Sequence, residues 1–243
     1  MISVCIATYN GEKYLRQQID SILAQIGKGD EIVISDDNST DGTLELILSY
    51  HDTRIRILHH DTKLVTTDFP LDRPTHNFEN ALRHAKGDII FLSDQDDVWL
   101  PGKVDKMKKA LENADMALHD CIPADEKLHQ LTPSYFDMVH VTTNAWHNAI
   151  KCTMLGCCMA MRRCVVEKAL PFPKTKVGHD LWLGMVADRK FRFVLVREPL
   201  LVYRKHGRSM TMAGKKSKYG LWFKLCYRIT VLRHLLKLIF VQL

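Results

Sequence analysis

Three carboxylates follow a short apolar segment in the first half of the chain. Residues 89–93 read as a buried strand, and Asp94, Asp96 and Asp97 come directly after it. Acids packed this closely repel one another unless a cation offsets them, and Mg²⁺ or Mn²⁺ binds both carboxylates and diphosphate oxygens. The alternative is a solvated acidic turn before a helix that starts near Pro101, which accounts for Asp97 but not for all three acids. The spacing therefore predicts a divalent metal site.

A second acidic pair ends another apolar segment. Residues 31–35 read as a strand, and Asp36 and Asp37 follow at its carboxyl end. In an open α/β sheet, ligands bind at that edge, where a carboxylate can accept hydrogen bonds from a nucleobase NH or a ribose hydroxyl. For residues 38–41 the simpler interpretation, that they cap the next helix, is sufficient. We therefore expect a nucleotide contact here, with Asp36 as the leading candidate.

Two later segments could supply a base and a cationic clamp. Asp180 stands at the start of a predicted helix, where it either caps the helix or lies in an active site. The segment 203–208, Tyr-Arg-Lys-His-Gly-Arg, follows a predicted strand. Its arginines, Arg204 and Arg208, could bind a diphosphate, and His206 could bind a metal through a neutral imidazole. The alternative for this segment is a solvated loop.

The elements that must position these residues are typical of βαβ units. Apolar segments alternate with amphipathic ones, which predicts the α/β fold class with a mostly parallel, Rossmann-like sheet flanked by helices. The predicted strands are residues 2–7, 31–35, 54–58 and 88–93, and the predicted helices are residues 14–25, 41–50 and 77–86. Further along we expect a long loop over 118–148, a strand at 153–161, a helix at 180–188 and a strand at 191–196.

Charge is distributed unevenly along the 243 residues. All 28 acids precede residue 200, whereas ten of the 34 Lys and Arg residues lie from Arg204 onward, so an acidic body precedes a basic tail. The acidic body and the lack of a recognition motif argue against a nucleic-acid binder. A hydrophobic content of 46% excludes a disordered chain.

Cysteine usage and the apolar segments indicate a compartment. The seven cysteines are odd in number, lack CxxC spacing and mostly lie in apolar segments, so we expect reduced core residues. The chain starts with the strand-like residues 1–7 rather than a leader, and it contains no run of about 18 uncharged apolar residues. These features favour a cytoplasmic protein without a spanning helix.

The basic tail has helical periodicity from about Tyr219 onward. At 100° per residue its apolar positions fall on one arc, and its basic positions lie outside that arc. The arc comprises Leu221, Leu225, Ile229, Leu232, Leu236 and Ile239, and the basic residues are Lys224, Arg228, Arg233 and Lys237. This pattern predicts an amphipathic helix on the surface of an anionic membrane. The alternative is that the arc docks on the protein's own core or on a second subunit.

Five segments together resemble family 2 glycosyltransferases, inverting enzymes with the GT-A fold. They occur in the family's order over roughly the first 210 residues, which is more specific than any single motif. The segments are Ile6-Ala-Thr-Tyr-Asn-Gly-Glu12, Ser35-Asp-Asp-Asn-Ser-Thr-Asp-Gly-Thr43, Phe91-Leu-Ser-Asp-Gln-Asp-Asp-Val-Trp99, His179-Asp-Leu-Trp182 and Tyr203-Arg-Lys-His206. The resemblance implies a catalytic domain over residues 1–212, with a nucleotide-sugar half to about 115 and an acceptor half from 116, followed by a tail over 213–243.

The resemblance implies roles for the metal and base residues. Asp96 is similar to the second acid of the family's DxD motif, which ligates the Mg²⁺ or Mn²⁺ that bridges the donor diphosphate. His206 is similar to an additional metal or diphosphate contact. Asp180 is similar in placement to the catalytic base that removes the proton of the acceptor hydroxyl.

The resemblance also implies a donor pocket and an acceptor contact. The nucleotide-sugar residues are Thr8, Tyr9, Asp36, Asp37, Asp94, Arg204 and Arg208. The acceptor residues are His179 and Trp182, although many family members carry glutamate where this chain has His179. The position before the base therefore differs from the family pattern.

The implied activity is inverting, non-processive transfer of a hexose from a nucleotide sugar to an acceptor hydroxyl. The chain lacks the QxxRW motif and the spanning helices of the processive branch. Its DQDDxW segment resembles the rhamnosyltransferase-like subset of bacterial surface polysaccharide enzymes, which implies a glycan or lipid-linked sugar acceptor at the inner face of the cell membrane. Two alternatives are a sugar-phosphate nucleotidyltransferase, whose Gly-rich loop is absent, and an inactive binding protein, which would not need three acids.

Overall fold

Short buried strands alternate with helices and assemble into one mixed sheet. The computed structural model describes residues 1–61, 69–174, 177–207 and 220–240. Within these ranges the strands are β1 (Ile2–Thr8), β2 (Glu31–Asp36), β3 (Ile55–His59), β4 (Ile89–Ser93), β5 (Val98–Trp99), β6 (Met116–Ala124), β7 (Met159–Arg162) and β8 (Phe193–Arg204). Their order is β3-β2-β1-β4-β7-β6-β8-β5. The pairings of β7 and β5 are antiparallel and the others are parallel.

Helices flank this sheet. They are α1 (Glu12–Leu23), α2 (Thr43–Leu48), α3 (Asp72–His84), α4 (Lys103–Leu111), α5 (Tyr135–Val139), α6 (Ala145–Ile150), α7 (Arg163–Ala169), α8 (His179–Lys190) and α9 (Leu221–Phe240), with a short 3₁₀ helix at Gly156–Cys158. The central strands supply the core, since Val4, Ile34 and Leu92 are fully buried. The predicted α/β class with a mostly parallel sheet is confirmed.

The parallel half brings the predicted acids to one edge. Thr8 pairs with Asp36 at the end of the β1–β2 ladder, and Ile6 pairs with Ser93 at the end of the β1–β4 ladder. The four predicted first-half strands are confirmed to within one residue at each end. Helix α3 starts at Asp72 rather than at residue 77. Pro74 lies in its first turn, where proline costs no hydrogen bond.

The predicted loop over residues 118–148 is wrong. This region contains most of β6, together with α5 and α6. Strand β6 is buried almost throughout, so its sequence lacks the alternation of a half-exposed strand. Two polar residues interrupt it, and Asp120 accepts hydrogen bonds from Phe136 N at 2.9 Å and from Ser134 Oγ at 2.5 Å. Asp120 is therefore a buried partner of α5, and it does not mark a surface loop.

The strands that follow are also placed differently from the prediction. Strand β7 begins only at Met159, because the 3₁₀ helix occupies the residues before it. Strand β8 continues through Pro199 to Arg204, with irregular register against β6. Tyr203 and Arg204 therefore end a strand, whereas the sequence placed them after one. The predicted domain boundaries at 115/116 and 212/213 stay a prediction.

The tail forms the predicted helix, α9, over its described part. Val231, Leu235 and Leu238 are fully buried, and α9 packs against α6 and α8. Five members of the predicted apolar arc remain exposed: Leu221, Leu225, Ile229, Leu236 and Ile239. Docking on the protein's own core therefore uses a different side of the helix. No helix in the described ranges is long and apolar enough to cross a bilayer.

The cysteines are free thiols, as predicted, but they are not all core residues. Cys5, Cys121, Cys157 and Cys158 are buried, Cys226 is half-buried, and Cys152 and Cys164 are exposed. The expectation of a buried position is therefore wrong for the two exposed cysteines, whose apolar neighbours in sequence do not share their surroundings in the fold.

Candidate active site

Asp96 and His206, which lie 110 positions apart in sequence, meet at the edge of the sheet. The Asp96 carboxylate lies 2.6 Å from His206 Nε2. Arg204 is close by, since its Nε donates to the Asp96 carbonyl oxygen at 2.7 Å. The two residues predicted to hold a metal are therefore in direct contact.

Asp97 is the buried member of the acid group. Its Oδ1 accepts a hydrogen bond from Arg204 N at 3.0 Å, whereas its Oδ2 has no hydrogen-bond partner. Burial, and after it the charges of Asp96 and Asp94, raise the pKa of Asp97 well above its usual range. Burial, and then the charges of Asp96 and Asp180, raise the pKa of Asp94 to about 7. An accumulation of anionic groups that holds protons in this way has the electrostatics of a cation site.

Two residues of this region were not predicted from the sequence. One ligand atom each of Asp94, Asp97 and Cys157 lie within 4.8 Å of one another, so these side chains also form a possible metal-binding group. Lys103 is fully buried, with Nζ 2.9 Å from the Cys157 carbonyl oxygen and 4.2 Å from the centre of the Trp99 ring. Burial lowers the pKa of Lys103 to about 8. Nothing in the local sequence of either residue indicates this placement.

The predicted nucleotide residues lie together at the ends of β1 and β2. Asp36 is fully buried and accepts hydrogen bonds from Thr8 Oγ1 at 2.9 Å and from Ser39 Oγ at 2.6 Å. Because Thr8 and Ser39 are residues of the protein itself, these hydrogen bonds hold the loop that begins at Asp36 in position. The carboxylate of Asp37 lies 2.8 Å from His60 Nδ1. His60 was missed because it follows β3, in a segment without any recognised motif.

Tyr9 lies at the open side of this pocket. Its side chain is 49% exposed, and the guanidinium of Arg73 lies 5.5 Å from the centre of its ring. Arg73 also lies 3.1 Å from the Asp37 carboxylate. Gln95 binds the backbone of Tyr9 twice, at 2.9 Å and 3.1 Å. The first motif and the acid motif are therefore joined directly, which places the exposed ring of Tyr9 beside the acid motif.

Asp180 lies in the first turn of α8, where two glycines allow a close approach. A Cβ added to Gly178 would lie 2.6 Å from Asp180 Oδ1, and a Cβ added to Gly156 would lie 2.6 Å from His179 Nε2. The His179 ring lies 4.2 Å from that of Phe78, and burial lowers the pKa of His179, which favours the neutral imidazole. Asp180 contributes to the raised pKa of Asp94, so the charge at the start of α8 interacts with the acid group.

Trp182 and Arg204 are held inside the protein. The indole of Trp182 donates to the Ala169 carbonyl oxygen at 2.8 Å, and its side chain is buried. The Arg204 guanidinium donates to Glu126 O at 2.8 Å and to Gln17 Oε1 at 2.6 Å. The acceptor contact of Trp182 and the diphosphate contact of Arg204 stay predictions. Arg208, the other predicted clamp, lies outside the described residues.

Residues 3–170 match the family model described as "Glycosyl transferase family 2". A curated Nostoc protein, the uncharacterized glycosyltransferase alr2836, is 28% identical over 228 residues, which cover 88% of this chain and 67% of that protein. WfgD of Escherichia coli, a UDP-Glc:α-D-GlcNAc-diphosphoundecaprenol β-1,3-glucosyltransferase, is 30% identical over 105 residues, or 43% of this chain and 38% of WfgD.

Solved glycosyltransferase structures share the fold. TarS 1–349 of S. aureus, in complex with UDP-GlcNAc, superposes with a TM-score of 0.69 and 18% identity over 98% of this chain and 70% of that one. The mannosyltransferase PcManGT of Pyrobaculum calidifontis, in complex with GDP-Man and Mn²⁺, superposes with a TM-score of 0.62 and 18% identity over 96% of this chain and 64% of that one. With the family match covering more than half of its length, the chain belongs to glycosyl transferase family 2 and is a glycosyltransferase with the GT-A fold.

Proposed function

We propose that the chain transfers a hexose from a nucleotide sugar to an acceptor hydroxyl by a metal-dependent, non-processive and inverting displacement. The observation that carries this proposal is the contact between Asp96 and His206 at 2.6 Å, in a site that also contains Asp94 and is within electrostatic reach of Asp180. This arrangement combines a cation site with a separate carboxylate, which are the two groups that such a displacement needs.

Asp96 and His206 are the proposed ligands of Mg²⁺ or Mn²⁺. Carboxylate and imidazole donors suit either ion, and the surrounding acids supply the negative charge that binding a cation requires. Mn²⁺ accompanies GDP-Man in the PcManGT structure. The bound ion would act as a Lewis acid on the departing diphosphate. Arg204 would add positive charge on the same side, and Arg208, which lies outside the described residues, remains the second proposed diphosphate contact.

Thr8, Tyr9, Asp36 and Asp37 form the proposed nucleotide pocket. The exposed ring of Tyr9 offers a surface on which a base can stack. A carboxylate oxygen of Asp36 already accepts hydrogen bonds from Thr8 and Ser39. The predicted base contact therefore requires this carboxylate to accept a further hydrogen bond from the donor. Asp37 is nearly buried beside His60, where it can accept a hydrogen bond from a base or ribose.

Asp180 is the proposed base, and the product should have inverted anomeric configuration. A hydroxyl is a poor nucleophile at neutral pH, so a carboxylate must remove its proton during attack. Our assignment contains one base and no second carboxylate placed as a covalent nucleophile, so a single displacement is expected. NMR of the isolated product reads the anomeric configuration directly, and a retained configuration would show that the assignment is wrong.

The acceptor is proposed to be a lipid-linked saccharide at the inner face of the cell membrane, and rhamnose the sugar that is transferred. As its name states, WfgD acts on a diphosphoundecaprenol-linked sugar. The apolar arc of α9 is exposed, and basic side chains accompany it. Rhamnose rests on the DQDDxW segment alone.

A screen of nucleotide sugars tests the proposal. The thermal unfolding temperature of the protein is measured with UDP-, GDP- and dTDP-linked sugars, each with Mn²⁺, with Mg²⁺ and with EDTA, because a ligand stabilises the state that binds it. A true donor stabilises only when metal is present and releases nucleoside diphosphate on incubation with a saccharide acceptor. Metal-independent stabilisation, or release of pyrophosphate from a sugar phosphate and a nucleoside triphosphate, would contradict it.

A further inference from the structure

Helix α9 belongs to the catalytic body as much as to the tail. Its residues Val231, Leu235 and Leu238 are fully buried, and it packs against α6 and α8. The ring of His234 meets that of Trp182 edge-on, with centroids 6.1 Å apart. Helix α8 carries Asp180 in its first turn. The helix that exposes the apolar arc therefore also packs on the element that positions the proposed base.

An aromatic cluster forms where α9 meets the segment before α3. Phe69 stacks with Phe223 at 5.8 Å and with Tyr227 at 5.5 Å between ring centroids, and these three residues are called the aromatic cluster below. Leu71, two positions after Phe69, lies 3.5 Å from the position of a Cβ added to Gly178. The chain thus runs directly from the aromatic cluster to the start of α8.

Tyr227 stacks on Phe69, two positions before the Leu71 side chain that lies against the start of α8. Burial raises the pKa of the Tyr227 hydroxyl, and the charges of Cys152 and Asp180 add to this effect. Tyr227 is nevertheless only half-buried, so part of it can meet a ligand. The exposed residues Leu225 and Ile229 lie two positions before and two positions after Tyr227 in α9. One helix therefore presents an aromatic side chain within electrostatic reach of Asp180 and apolar side chains to the outside.

We propose that the aromatic cluster forms the acceptor wall of the active site and that Tyr227 is a specificity-determining residue for a lipid-linked saccharide. This inference rests on the proposed function. Aromatic rings with a polar edge suit sugars, because the ring covers an apolar sugar face while the hydroxyl can form a hydrogen bond. The lipid portion of the acceptor would run along the exposed arc of α9. The sugar would then reach Asp180 beside Tyr227.

The test compares Tyr227→Ala and Tyr227→Phe with the full-length wild type. The acceptors are saccharides linked to diphosphofarnesol, a short-chain analogue of the WfgD acceptor, and the donor is the nucleotide sugar selected by the thermal screen. We expect Tyr227→Ala to raise the acceptor KM about tenfold, as for the loss of one aromatic contact. Tyr227→Phe should stay close to wild type if stacking dominates. Leu48→Ala, at an exposed apolar position outside α9, is the matched control.

Donor-side measurements separate this effect from misfolding. Stabilisation by the nucleoside diphosphate of the selected donor, with Mn²⁺, should be equal in the wild type and in Tyr227→Ala, as should hydrolysis of the donor by water. If Tyr227→Ala loses both, Tyr227→Leu, which keeps apolar volume, takes its place. An unchanged acceptor KM, or an equal loss in Leu48→Ala, would overturn the acceptor wall while leaving the proposed function intact.

Failure of the proposed function gives a different result. A wild type that consumes no nucleotide sugar in the presence of metal contradicts the transferase proposal and this inference together. A wild type that hydrolyses its donor but glycosylates no diphosphofarnesol-linked saccharide contradicts the lipid-linked acceptor, and the acceptor wall is then wrong as well.

Discussion

The carboxyl group of Asp94 has a consequence for stability that can be measured without any substrate. Its pKa of about 7 in the folded protein is higher than the value of about 3.9 for an unfolded chain. The folded state therefore binds more protons between these values, and the metal-free protein loses stability as pH rises from about 4 to about 7. Asp94→Asn removes this loss, because the amide does not ionise.

The prediction is that Asp94→Asn raises the unfolding temperature of the metal-free protein, and that its advantage over the wild type grows between pH 5 and pH 8. Differential scanning fluorimetry in EDTA measures both proteins. Glu167→Gln, a change at an exposed acid on α7, controls for general charge effects. Curves for wild type and Asp94→Asn that stay parallel over this range would contradict the raised pKa.

Substitutions of Asp96 and of Asp180 should impair different steps, donor binding in the first case and sugar transfer in the second. Asp96→Ala removes one proposed metal ligand, so Mn²⁺-dependent donor binding should be lost and transfer should fall on the order of 10²-fold or more. Asp180→Asn keeps the shape of the side chain and removes the base, so the donor should still bind while transfer falls by about 10²- to 10⁴-fold. Isothermal titration of donor and metal, paired with product analysis, distinguishes the two. Near-normal transfer by Asp180→Asn would exclude it as the base.

Residues whose place in the site depends on a contact with a distant part of the chain could not be identified from the sequence. The acid motifs were predictable because strands that end in adjacent carboxylates create an electrostatic problem within a few positions. His60 contacts Asp37, and Lys103 and Cys157 lie by the acid motif, but each depends on a partner supplied by a separate element. A buried lysine, for example, reads in sequence as a surface charge on an amphipathic helix.

At the scale of elements, the sequence predicted the parallel half well and the second half poorly. Strands β1, β2 and β4 are short, apolar and bounded by turn residues, so their limits follow from local signals. Strand β6 carries His119 and Asp120 in its middle, and its burial arises from packing against β7, β8 and α5. Periodicity cannot indicate a strand that is covered on both faces and contains internally bonded polar groups.

The 3₁₀ helix Gly156–Cys158 offers a test at this scale. Its first residue lies so close to α8 that an added Cβ would be 2.6 Å from His179 Nε2. Gly156→Ala should therefore displace His179 and the adjoining Asp180, and a displacement of about 1 Å can cost on the order of 10²-fold in rate. Donor binding should persist, because the nucleotide pocket lies at β1 and β2.

The matched control is Gly29→Ala, where an added Cβ meets nothing within 4 Å. Steady-state kinetics should give a lower kcat with little change in the donor KM for Gly156→Ala, and wild-type values for Gly29→Ala. A Gly156→Ala enzyme with an unchanged kcat would show that the 3₁₀ helix does not hold the proposed base in position.

At the scale of the whole molecule, α9 exposes an apolar arc with basic residues on both flanks. The basic residues of the tail follow an acidic body, and the described part of the tail carries large exposed side chains. Leu221 is 86% exposed, Trp222 76% and Phe240 79%. A contiguous apolar patch with a basic rim is a common feature of surfaces that bind anionic membranes. Core packing uses Val231, Leu235 and Leu238 and so leaves this patch available.

The last prediction is that the full-length protein floats with anionic vesicles through this face of α9. Replacing Leu221, Leu225 and Ile229 by serine removes three exposed apolar side chains without touching the buried ones, so flotation should be lost while donor binding persists. Lys224→Gln with Arg228→Gln should weaken binding at low salt, because each basic residue near an anionic surface contributes about 1 kcal/mol. Leu48→Ser, an equally exposed change outside α9, should have no effect.

The vesicles contain phosphatidylglycerol in one series and only phosphatidylcholine in the other, which separates charge from apolar insertion. Binding to the first series that falls with added salt, and weaker binding to the second, is the expected pattern, because salt screens the basic residues and leaves apolar contact unchanged. A wild type that floats with neither series, yet sediments as a dimer that the triple serine variant dissociates, would assign the exposed arc to a second copy of the chain. Helix α9 would then bury its arc between subunits, and the acceptor would have to reach Asp180 from solution.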